Sequence, residues 1–579
     1  MRTVLSYLRP LAGRMAVCFG IKLTGTLMDL ALPWILAHLL DEVVPTGSRG
    51  AILFWGVAMA LCALVAWLGN VVANRRASGI SRDATRRIRH DLYRKVGELS
   101  SRQLDHLTIP SLISRLTTDT YHINQTLGRI QRLGVRAPLL LLGGILVTLL
   151  LDWRLSLVLL ATLPFLALAI RLISARGLRR YTQVQRLLDA MVRTVRDDLT
   201  GIRVIRALGK ADFECGRFRR DSEALSRSQI RADSIMAAMD PTMQLILNLG
   251  LTAVILCGAH WVSQGVTRPG SIIAFLTYFT IILNAMMSIN KMFVMITQAS
   301  ASASRIEEVL ALPTETHAAS PGQTPPAETP PPHLAFSHVS FAYSNPERGH
   351  ALHDLSLKLA HGQTLGIIGT TGSGKTTVIQ LLQRLYPLDQ GIITLDGQPL
   401  EALDEPTLRQ HFGVVFQSDA FFAGTIRDNI DLGRELPTHD LELAAQTAQA
   451  EDFILATPEG YDHPVHAKAA NLSGGQRQRL LIARALAAHP PILILDDASS
   501  ALDYRTDAAL RAAIRQNYPD TTVILIAQRV SSVRHADLIL VLDHGRTAEL
   551  GSHTQLLRDC PLYAQLDAIQ TGDQPHETA

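Results

Sequence analysis

Six stretches of this chain are apolar enough and long enough to cross a lipid bilayer as helices, which takes about 20 residues each. Hydrophobic residues make up 47% of the chain, and its mean hydropathy of +0.16 is high for a soluble protein. The sequence therefore predicts an α-helical membrane domain over residues 1–312. Its spans lie near 15–40, 51–73, 134–152, 154–174, 241–264 and 271–295.

Two polar segments, between spans two and three and between spans four and five, are long, rich in arginine and helical in their apolar period. The loops on the other side are short and carry little positive charge. Because cytoplasmic loops carry the excess of Lys and Arg, we expect a multi-pass protein of the inner (plasma) membrane. The N-terminus, both long segments and everything after span six would lie in the cytoplasm.

Several polar side chains fall within or near the predicted spans. They are Lys22, Asp29, Arg136, Arg171, Gln244, Asn248 and Asn284. Polar groups at this depth usually face the interior of a helix bundle or a water-filled cavity, so these residues are candidates for a substrate pathway. Hydrogen bonding between helices, or snorkelling of the longer side chains to the interface, is the other interpretation.

A stretch dense in proline separates this domain from the second half of the chain. Residues 313–333 can form neither a core nor a long helix and are predicted to be a tether. From residue 334 to residue 579 short β-branched strands alternate with helices, which is the pattern of an α/β domain.

Charge and cysteine content argue against two other kinds of function. The net charge of +4 is small against 55 Lys+Arg and 51 Asp+Glu, so no nucleic-acid partner is expected. The five cysteines form no CxxC pair and indicate neither disulfides nor a metal site.

A glycine-rich loop follows the apolar strand 365–369 and precedes a helical pattern. It fits G-x-x-x-x-G-K-[ST], in which glycines let successive backbone N–H groups curl around phosphate oxygens. Lys375 would meet the β/γ-phosphates and Thr376 would ligate Mg²⁺, with Asp496 completing the metal shell from a strand end. The loop residues are Gly369, Thr370, Thr371, Gly372, Ser373, Gly374, Lys375, Thr376 and Thr377.

A second anion site is predicted in the sequence LSGGQ. Ser473 and the two glycines after it open a helix, so free N–H donors and the positive end of the helix dipole would face an anion. Since the phosphate loop already holds one triphosphate, the second site suggests two such domains sandwiching two ATP molecules head to tail. The motif comprises Leu472, Ser473, Gly474, Gly475 and Gln476.

Together and in this order, the motifs resemble a half-transporter of the ATP-binding cassette (ABC) exporter family, over essentially all 579 residues. The resemblance implies a six-span α-helical transmembrane domain with long cytoplasmic helical extensions, followed by an α/β P-loop nucleotide-binding domain. It implies ATP and Mg²⁺ as cofactors and a second half-transporter subunit as partner. Membrane lipid and a transported small molecule would be further contacts.

The resemblance also assigns roles to residues outside these motifs. Tyr343 would stack on adenine, and Gln417 would contact Mg²⁺ and sense the γ-phosphate. The segments 108–116 and 209–218 would contain the helices that couple the two domains. The D-loop, which communicates across the dimer of nucleotide domains, would be Ser500, Ala501, Leu502 and Asp503.

Three features depart from the family pattern. Asp497 stands where a hydrolytic member has a glutamate that polarises the attacking water, and Gln528 stands where a histidine is expected. These two residues are the candidate catalytic residues of the chain. The segment 465–476 lacks the usual acidic, glycine-containing approach to LSGGQ.

Two changes at the groups nearest the bond to be cleaved resemble the degenerate half of heterodimeric, multidrug-type exporters. We therefore expect ATP-driven export of a hydrophobic or amphipathic compound (drug-like, lipid or peptide), with this chain supplying a weakly hydrolytic ATP site. The alternatives are a slow homodimeric exporter, a siderophore importer with the same fold, and a nucleotide-gated conduit or regulatory subunit.

Overall fold

The structure, a computed structural model, describes residues 2–313, 331–343, 350–417, 420–498 and 500–571. The predicted tether at 313–333 lies almost entirely outside these residues. The chain divides into two compact units, which are described separately. The first comprises Met1–Glu98 and Ile109–Leu312, and the second comprises Leu99–Thr108 and Pro313–Ala579.

Within the described residues, the first unit consists of helices and short connections. Six helical segments are long and apolar enough to cross a membrane, which confirms the predicted six-span helical domain. The segments are Val4–Thr46, Arg49–Gly97, Ile109–Leu151, Trp153–Thr200, Ala211–Ser263 and Pro269–Leu310. The α-helices are Arg2–Leu8, Ala12–His38, Arg49–Gly97, Ile109–Ser114, Thr120–Leu133, Arg136–Leu151, Trp153–Thr200, Ile202–Ala207, Ala211–Ala237, Met239–Ser263 and Pro269–Leu310.

Two glycines let the helices Ala12–His38 and Arg49–Gly97 approach each other closely. A β-carbon built on Gly69 would lie 3.4 Å from the α-carbon of Gly25, and one on Gly25 would lie 3.4 Å from the carbonyl oxygen of Ala66. Small residues at a crossing allow the backbone contact that drives helix association in lipid, where no hydrophobic effect separates helix from solvent.

Polar side chains near the same crossing bond to one another between helices. Lys22 is 2% exposed, and its Nζ donates to Asn70 Oδ1 at 2.7 Å and to Asn74 Oδ1 at 3.1 Å. Arg136 donates to Asp29 Oδ2 at 3.0 Å. For Lys22, Asp29 and Arg136 the structure therefore shows hydrogen bonding between helices. A substrate-pathway role stays a prediction for Arg171, Gln244, Asn248 and Asn284, which are exposed in the single chain.

The described residues of the second unit form two main sheets and a two-stranded one. The strands are β1 (Leu334–Ala342), β2 (His350–Leu359), β3 (Thr364–Gly369), β4 (Gln390–Leu395), β5 (Gln398–Pro399), β6 (Phe412–Val415), β7 (Gly424–Thr425), β8 (Pro464–Val465), β9 (Ile492–Asp496), β10 (Thr522–Ile526), β11 (Leu538–Asp543) and β12 (Arg546–Gly551). A six-stranded sheet has the order β12-β11-β3-β10-β9-β6 and is parallel except for its edge strand β12. An antiparallel sheet has the order β2-β1-β4-β5.

The six-stranded sheet is covered on both faces, as a parallel sheet requires. In β9 all five residues are buried. Ile492 and Ile494 pack into the core that includes the antiparallel sheet, whereas Leu493 and Leu495 pack into the core on the opposite face. Alternate side chains of a strand point to opposite faces, so this short apolar run contributes side chains to two hydrophobic cores.

Helices of the second unit connect and cover these strands. Those before the LSGGQ motif are Ser101–Leu107, Lys375–Leu382, Glu405–Gln410, Ile426–Asp431, Thr438–Thr447 and Glu451–Leu455. Those from that motif onward are Gly474–Leu486, Tyr504–Asn517, Val530–Val533, His553–Asp559 and Pro561–Thr571. Helices alternating with a parallel sheet confirm the predicted α/β class of this half of the chain.

One helix of the second unit lies, in sequence, between the second and third membrane-spanning segments. Ser101–Leu107 begins with a capping box formed by Ser100 and Gln103, and it belongs to the same compact unit as the sheets. Within the predicted coupling segment 108–116, the helix Ile109–Ser114 belongs to the first unit, and its coupling role stays a prediction. The other predicted coupling segment, 209–218, also lies in the first unit and includes the start of Ala211–Ala237.

Replacing Gly25 by Val is expected to destabilise the first unit, because the added methyl groups must push apart two helix backbones that already touch. Overpacking of this kind typically costs about 1–3 kcal/mol. The check is thermal unfolding of the purified protein in detergent. The matched control is Gly20→Val in the same helix, since a β-carbon at Gly20 meets no atom of the described residues within 4 Å. Equal losses of stability in both variants would contradict the packing role.

Candidate functional site

Four neighbouring parallel strands end at one edge of the six-stranded sheet, and each leads into a predicted site residue. β3 leads into the phosphate loop, β10 towards Gln528, β9 into Asp497 and β6 towards Gln417. Because the carboxyl ends of parallel strands lie at the same edge, these groups converge on one cleft of about 390 Å³. The predicted site residues in its lining are Tyr343, Thr371, Gly372, Ser373, Gly374, Lys375, Thr376, Thr377, Gln417, Asp496, Asp497 and Gln528.

The phosphate loop curls between β3 and the helix Lys375–Leu382, with Gly369 and Thr370 at its start. Gly374 caps that helix with φ +99°, and a β-carbon there would lie 2.5 Å from the carbonyl oxygen of Ala351, so only glycine fits. The Lys375 ammonium donates to the carbonyl oxygens of Gly369 at 2.9 Å and Thr370 at 2.8 Å. The lysine thus lies across the loop, where its charge can meet phosphate oxygens.

The predicted magnesium ligands lie together at the floor of the cleft. Asp496 is 2% exposed, and its carboxylate accepts from the Thr376 hydroxyl and the Gln417 backbone N–H. Among the described residues, neither its buried Oδ2 atom nor the buried Ser373 hydroxyl has a hydrogen-bond partner. A buried carboxylate oxygen in a cleft that Thr376 and Gln417 also line suits a hard cation such as Mg²⁺. These residues therefore fit the metal that the motifs imply.

Tyr343 lies at the rim of the cleft, at the end of β1. Its hydroxyl bonds to Thr377 at 3.0 Å and donates to Gln380 Oε1 at 2.5 Å, both in the helix after the phosphate loop. Its ring meets Phe341 and Tyr386 edge-on, with centroids 5.0 and 5.3 Å away. These contacts fix the ring beside the nucleotide cleft, where stacking on adenine is the predicted role.

The two residues that depart from the family pattern bond to each other. Gln528 Nε2 donates to Asp497 Oδ2 at 3.1 Å. Asp497 has φ +53°, a left-handed conformation that aspartate tolerates better than most residues. Its carbonyl oxygen accepts from Ser500 Oγ at 2.9 Å and Gln478 Nε2 at 3.2 Å, which holds the residue in this conformation.

Burial sets the electrostatics of the cleft. Burial raises the pKa of Asp496 and that of Asp497. The negative charge of Asp497 raises the pKa of Asp496 further. Burial lowers the pKa of Lys375, and the two carboxylates partly restore that pKa. The low-dielectric environment thus penalises the ionised form of both carboxylates, and a nearby cation would relieve that penalty.

The signature residues Leu472–Gln476 lie outside the lining of this cleft, at the start of the helix Gly474–Leu486. Ser473 caps that helix in a capping box with Gln476, and both Ser473 and Gly474 are exposed. The D-loop lies beside them, because a β-carbon on Gly475 would lie 3.4 Å from the carbonyl oxygen of Ala501. Asp503 ends the D-loop by capping the helix Tyr504–Asn517. The predicted second anion site thus faces solvent next to the D-loop.

The approach to the signature is conformationally unusual. Lys468 and Ala469 adopt φ +59° and +49°, a left-handed region that favours glycine and costs other residues about 1–2 kcal/mol each. Asn471 closes the turn, donating to the Pro464 carbonyl at 2.8 Å and accepting from the His466 N–H at 3.1 Å. The backbone here takes a conformation that glycine adopts most easily, although this segment lacks the glycine of the family pattern.

Gln570, in the helix Pro561–Thr571, belongs to none of the sequence motifs but contacts the site. Its amide donates to the Gln528 carbonyl at 3.0 Å and accepts from the Val530 N–H at 2.7 Å. It thereby fixes the backbone on both sides of Arg529 and holds Gln528 at the cleft. No local signal in the sequence indicates this role, since the two groups are 42 residues apart.

Comparisons with known proteins agree with this architecture. Residues 15–286 match the "ABC transporter transmembrane region", and residues 352–500 match the family described as "ABC transporter". The chain belongs to the ABC transporter family. It is 32% identical to the "Uncharacterized ABC transporter ATP-binding protein YfiB" of Bacillus subtilis, with 100% of each chain covered.

Two further matches carry more descriptive names. One is the ATP-dependent lipid A-core flippase of Aromatoleum aromaticum, 30% identical over 99% of this chain and 96% of the relative. The other is the structure of a bacterial Atm1-family ABC exporter with ATP bound, which has a TM-score of 0.82 at 27% identity. It covers 97% of this chain and 98% of the other.

The half-transporter resemblance is thus confirmed along the whole chain. The protein is an ATPase-coupled transporter of the ABC exporter type, with a multi-pass membrane domain. It uses ATP and Mg²⁺ and works as a dimer of half-transporters.

Replacing Asp496 by Asn is expected to stabilise the nucleotide-free protein at pH 7 by about 0.5–2 kcal/mol, the usual range for a stabilising substitution. The carboxylate pKa is raised by burial, so its ionised form is penalised in the folded state above that pKa. The gain should disappear as the pH falls below about 4, where the carboxyl is neutral in both states. Thermal unfolding between pH 4 and 7 measures it.

The control is Asp404→Asn, because hydrogen bonds from Thr407 lower the pKa of Asp404. Removing that charge should give no gain at pH 7. The Asp496 variant should also lose Mg²⁺-dependent ATP binding, measured by fluorescence of a labelled nucleotide. A less stable Asp496→Asn protein at pH 7 would show that burial is not the dominant influence on this carboxylate.

Proposed function

We propose that the chain is the degenerate-site subunit of a heterodimeric exporter. Its own Lys375, Asp496 and Gln528 would hold one ATP that is hardly hydrolysed, opposite the partner's signature. Its Ser473, Gly474 and Gly475 would complete the partner's competent site. The observation that carries this proposal is the 3.1 Å hydrogen bond between Gln528 and Asp497.

The bond matters because it joins the two groups closest to the reaction. Aspartate is one methylene shorter than glutamate, which removes about 1.5 Å of reach towards the attacking water. A misplacement of about 1 Å can lower a rate roughly a hundredfold. Gln528 occupies one oxygen of this shortened carboxylate, and its amide has neither the titratable ring nor the optional charge of histidine. The pair is therefore suited to hold ATP and poorly suited to cleave it.

The intact signature supports the other half of the proposal. The capping box at Ser473 orders the first turn of a 13-residue helix, and the exposed Ser473 and Gly474 leave its N-terminus open to an anion on a second chain. Since this motif retains every feature of an anion site, the chain is equipped to serve a partner's nucleotide even though its own cleavage groups are altered.

The direction, membrane and substrate belong to the same proposal. Arginine-rich long segments favour an N-terminus and a nucleotide domain in the cytoplasm, with the protein in the inner (plasma) membrane. We propose outward movement of a hydrophobic or amphipathic compound by alternating access. The name of the flippase relative supports a lipid-like substrate, and the name of the Atm1-family structure supports export.

A chain of contacts within the second unit supports coupling between nucleotide and transport. Tyr386 donates its hydroxyl to Asp105 Oδ2 at 2.7 Å, in the helix Ser101–Leu107. The same ring meets Tyr343, beside the cleft, with centroids 5.3 Å apart. Arg102 and Asp389 add an ion pair at 3.4 Å. A helix inserted in sequence between two transmembrane segments is thus tied to the residue predicted to hold adenine.

The degenerate site predicts slow ATP hydrolysis by the purified chain alone. The double variant Asp497→Glu with Gln528→His should raise that rate by about a hundredfold, because it restores the reach and the titratable ring. Steady-state phosphate release measures this. The control is Asp543→Glu at the end of β11, outside the cleft lining. Brisk hydrolysis by the unmodified chain, or transport by its homodimer, would contradict the proposal.

The same proposal fixes the outcome in a mixed complex. With a second half-transporter that carries Glu and His at the matching positions, Ser473→Ala should reduce ATPase activity far more than Asp497→Asn. Ser552→Ala is the matched control for lost helix capping, since Ser552 forms the same kind of capping box with Gln555. Nucleotide-gated currents without uphill transport would instead identify a conduit.

Removing the Tyr386 hydroxyl should uncouple transport from hydrolysis. Tyr386→Phe keeps the ring and its edge contacts but loses the bond to Asp105, so ATP binding is expected to be normal. Substrate-stimulated ATPase activity should fall severalfold in proteoliposomes of the complex, while basal activity stays. Tyr93→Phe, at an exposed tyrosine of the first unit, is the control. Unchanged stimulation in Tyr386→Phe would assign that bond a purely structural role.

A further inference from the structure

Three residues that are far apart in sequence converge on one point of the nucleotide domain, away from the cleft described above. His333 Nδ1 and His361 Nε2 each lie 2.9 Å from the same oxygen of Asp396. The two imidazole rings lie side by side, with centroids 3.7 Å apart. The three ligand atoms all lie within 4.8 Å of one another, and they form a group that could hold a metal ion.

Secondary structure fixes each of these side chains. His333 directly precedes β1 and is 2% exposed, so its ring is held by packing. Asp396 and Gly397 form the two-residue loop of the β4–β5 hairpin, with φ +48° and +79°, which is the type I′ turn that Asp-Gly favours. The backbone N–H of Asp396 donates to the His333 carbonyl at 2.8 Å, which ties two of the three residues together.

The third residue leaves a route to solvent. His361 lies in the β2–β3 turn, and its side chain is 66% exposed, while that of Asp396 is 48% exposed. One ligand is therefore rigid and buried and two are accessible. An ion could enter from the surface without opening the core, and water could occupy the position that three protein ligands leave vacant.

The chemistry of these groups suits a particular class of ion. Two imidazole nitrogens and one carboxylate oxygen are ligands for zinc and similar divalent transition metals, whereas Mg²⁺ and Ca²⁺ prefer oxygen alone. An ion about 2.1 Å from each donor, in tetrahedral geometry, needs neighbouring donors about 3.4 Å apart. The 2.9 Å separations found here would have to widen by only about 0.5 Å, which the exposed His361 can supply.

We propose that His333, His361 and Asp396 form a binding site for a divalent transition-metal ion, with Zn²⁺ as the expected occupant. The ion would join the start of β1 to the β2–β3 and β4–β5 turns, at the point where the chain enters the nucleotide domain. It would stabilise this end of the antiparallel sheet. The site is independent of the ATP cleft and of the division of labour between two half-transporters.

Equilibrium dialysis of the full-length protein in detergent against ZnCl₂, followed by elemental analysis, tests the site. The unmodified protein should retain one more Zn²⁺ per chain than His361→Ala or Asp396→Asn. Asparagine keeps the type I′ turn, so the second variant removes the ligand charge without removing the turn. Loss of one ligand should weaken binding about tenfold or more. Zn²⁺ should also raise the melting temperature of the unmodified protein more than that of either variant.

The matched control is His338→Ala. His338 and Asp354 form an exposed pair at 2.7 Å with the same chemistry, and among the described residues no third ligand joins them. This variant should bind as much Zn²⁺ as the unmodified protein, and the five free cysteines contribute equally to every variant. Normal ATP binding in each variant verifies the fold. Equal Zn²⁺ content in the unmodified protein and in His361→Ala would overturn the proposal.

Discussion

The alignment of four parallel strands is the constraint on which the nucleotide site depends. Backbone pairing sets Ile367 of β3 opposite Ile526 of β10, and Ile526 opposite Asp496 of β9. The residues that follow these positions must then emerge together at one edge. The phosphate loop, the two acidic residues and Gln528 meet because the apolar strands before them are held in register. The register of the sheet therefore determines where the side chains of the cleft lie.

That register also makes the two altered residues one feature instead of two. Asp497 and Gln528 sit at the ends of adjacent strands, so their contact follows from the topology, and a change at one alters the surroundings of the other. Asp497 and Gln528 form a hydrogen-bonded pair at this point, and the proposed weak hydrolysis rests on the shorter reach of aspartate and on the absence of a titratable ring. The signature residues Leu472–Gln476 lie outside the lining of this cleft.

Features carried by local sequence were predictable, and those that depend on distant partners were not. The membrane spans, the phosphate loop and the capping of the signature helix each follow from a continuous run of residues. The contact between Gln528 and Asp497, the clamp by Gln570 and the meeting of two histidines with Asp396 arise only after folding. The helix Ser101–Leu107 is not among the elements predicted from the sequence, although the Ser100-x-x-Gln103 capping pattern marks its start. Helices lie on both sides of it in the sequence, so the helical pattern gives no sign that residues 99–108 belong to the second unit.

The position of that helix has a consequence for how the protein is made. Residues 99–108 leave the ribosome long before the domain they belong to, since Asp105 and its partner Tyr386 are 281 residues apart. Domains generally form in the order of synthesis, and contacts at such separation close late. The helix Ser101–Leu107 cannot make its contact with Tyr386 until that part of the nucleotide domain has been translated. A chain that is interrupted before residue 386 therefore leaves Asp105 without this partner.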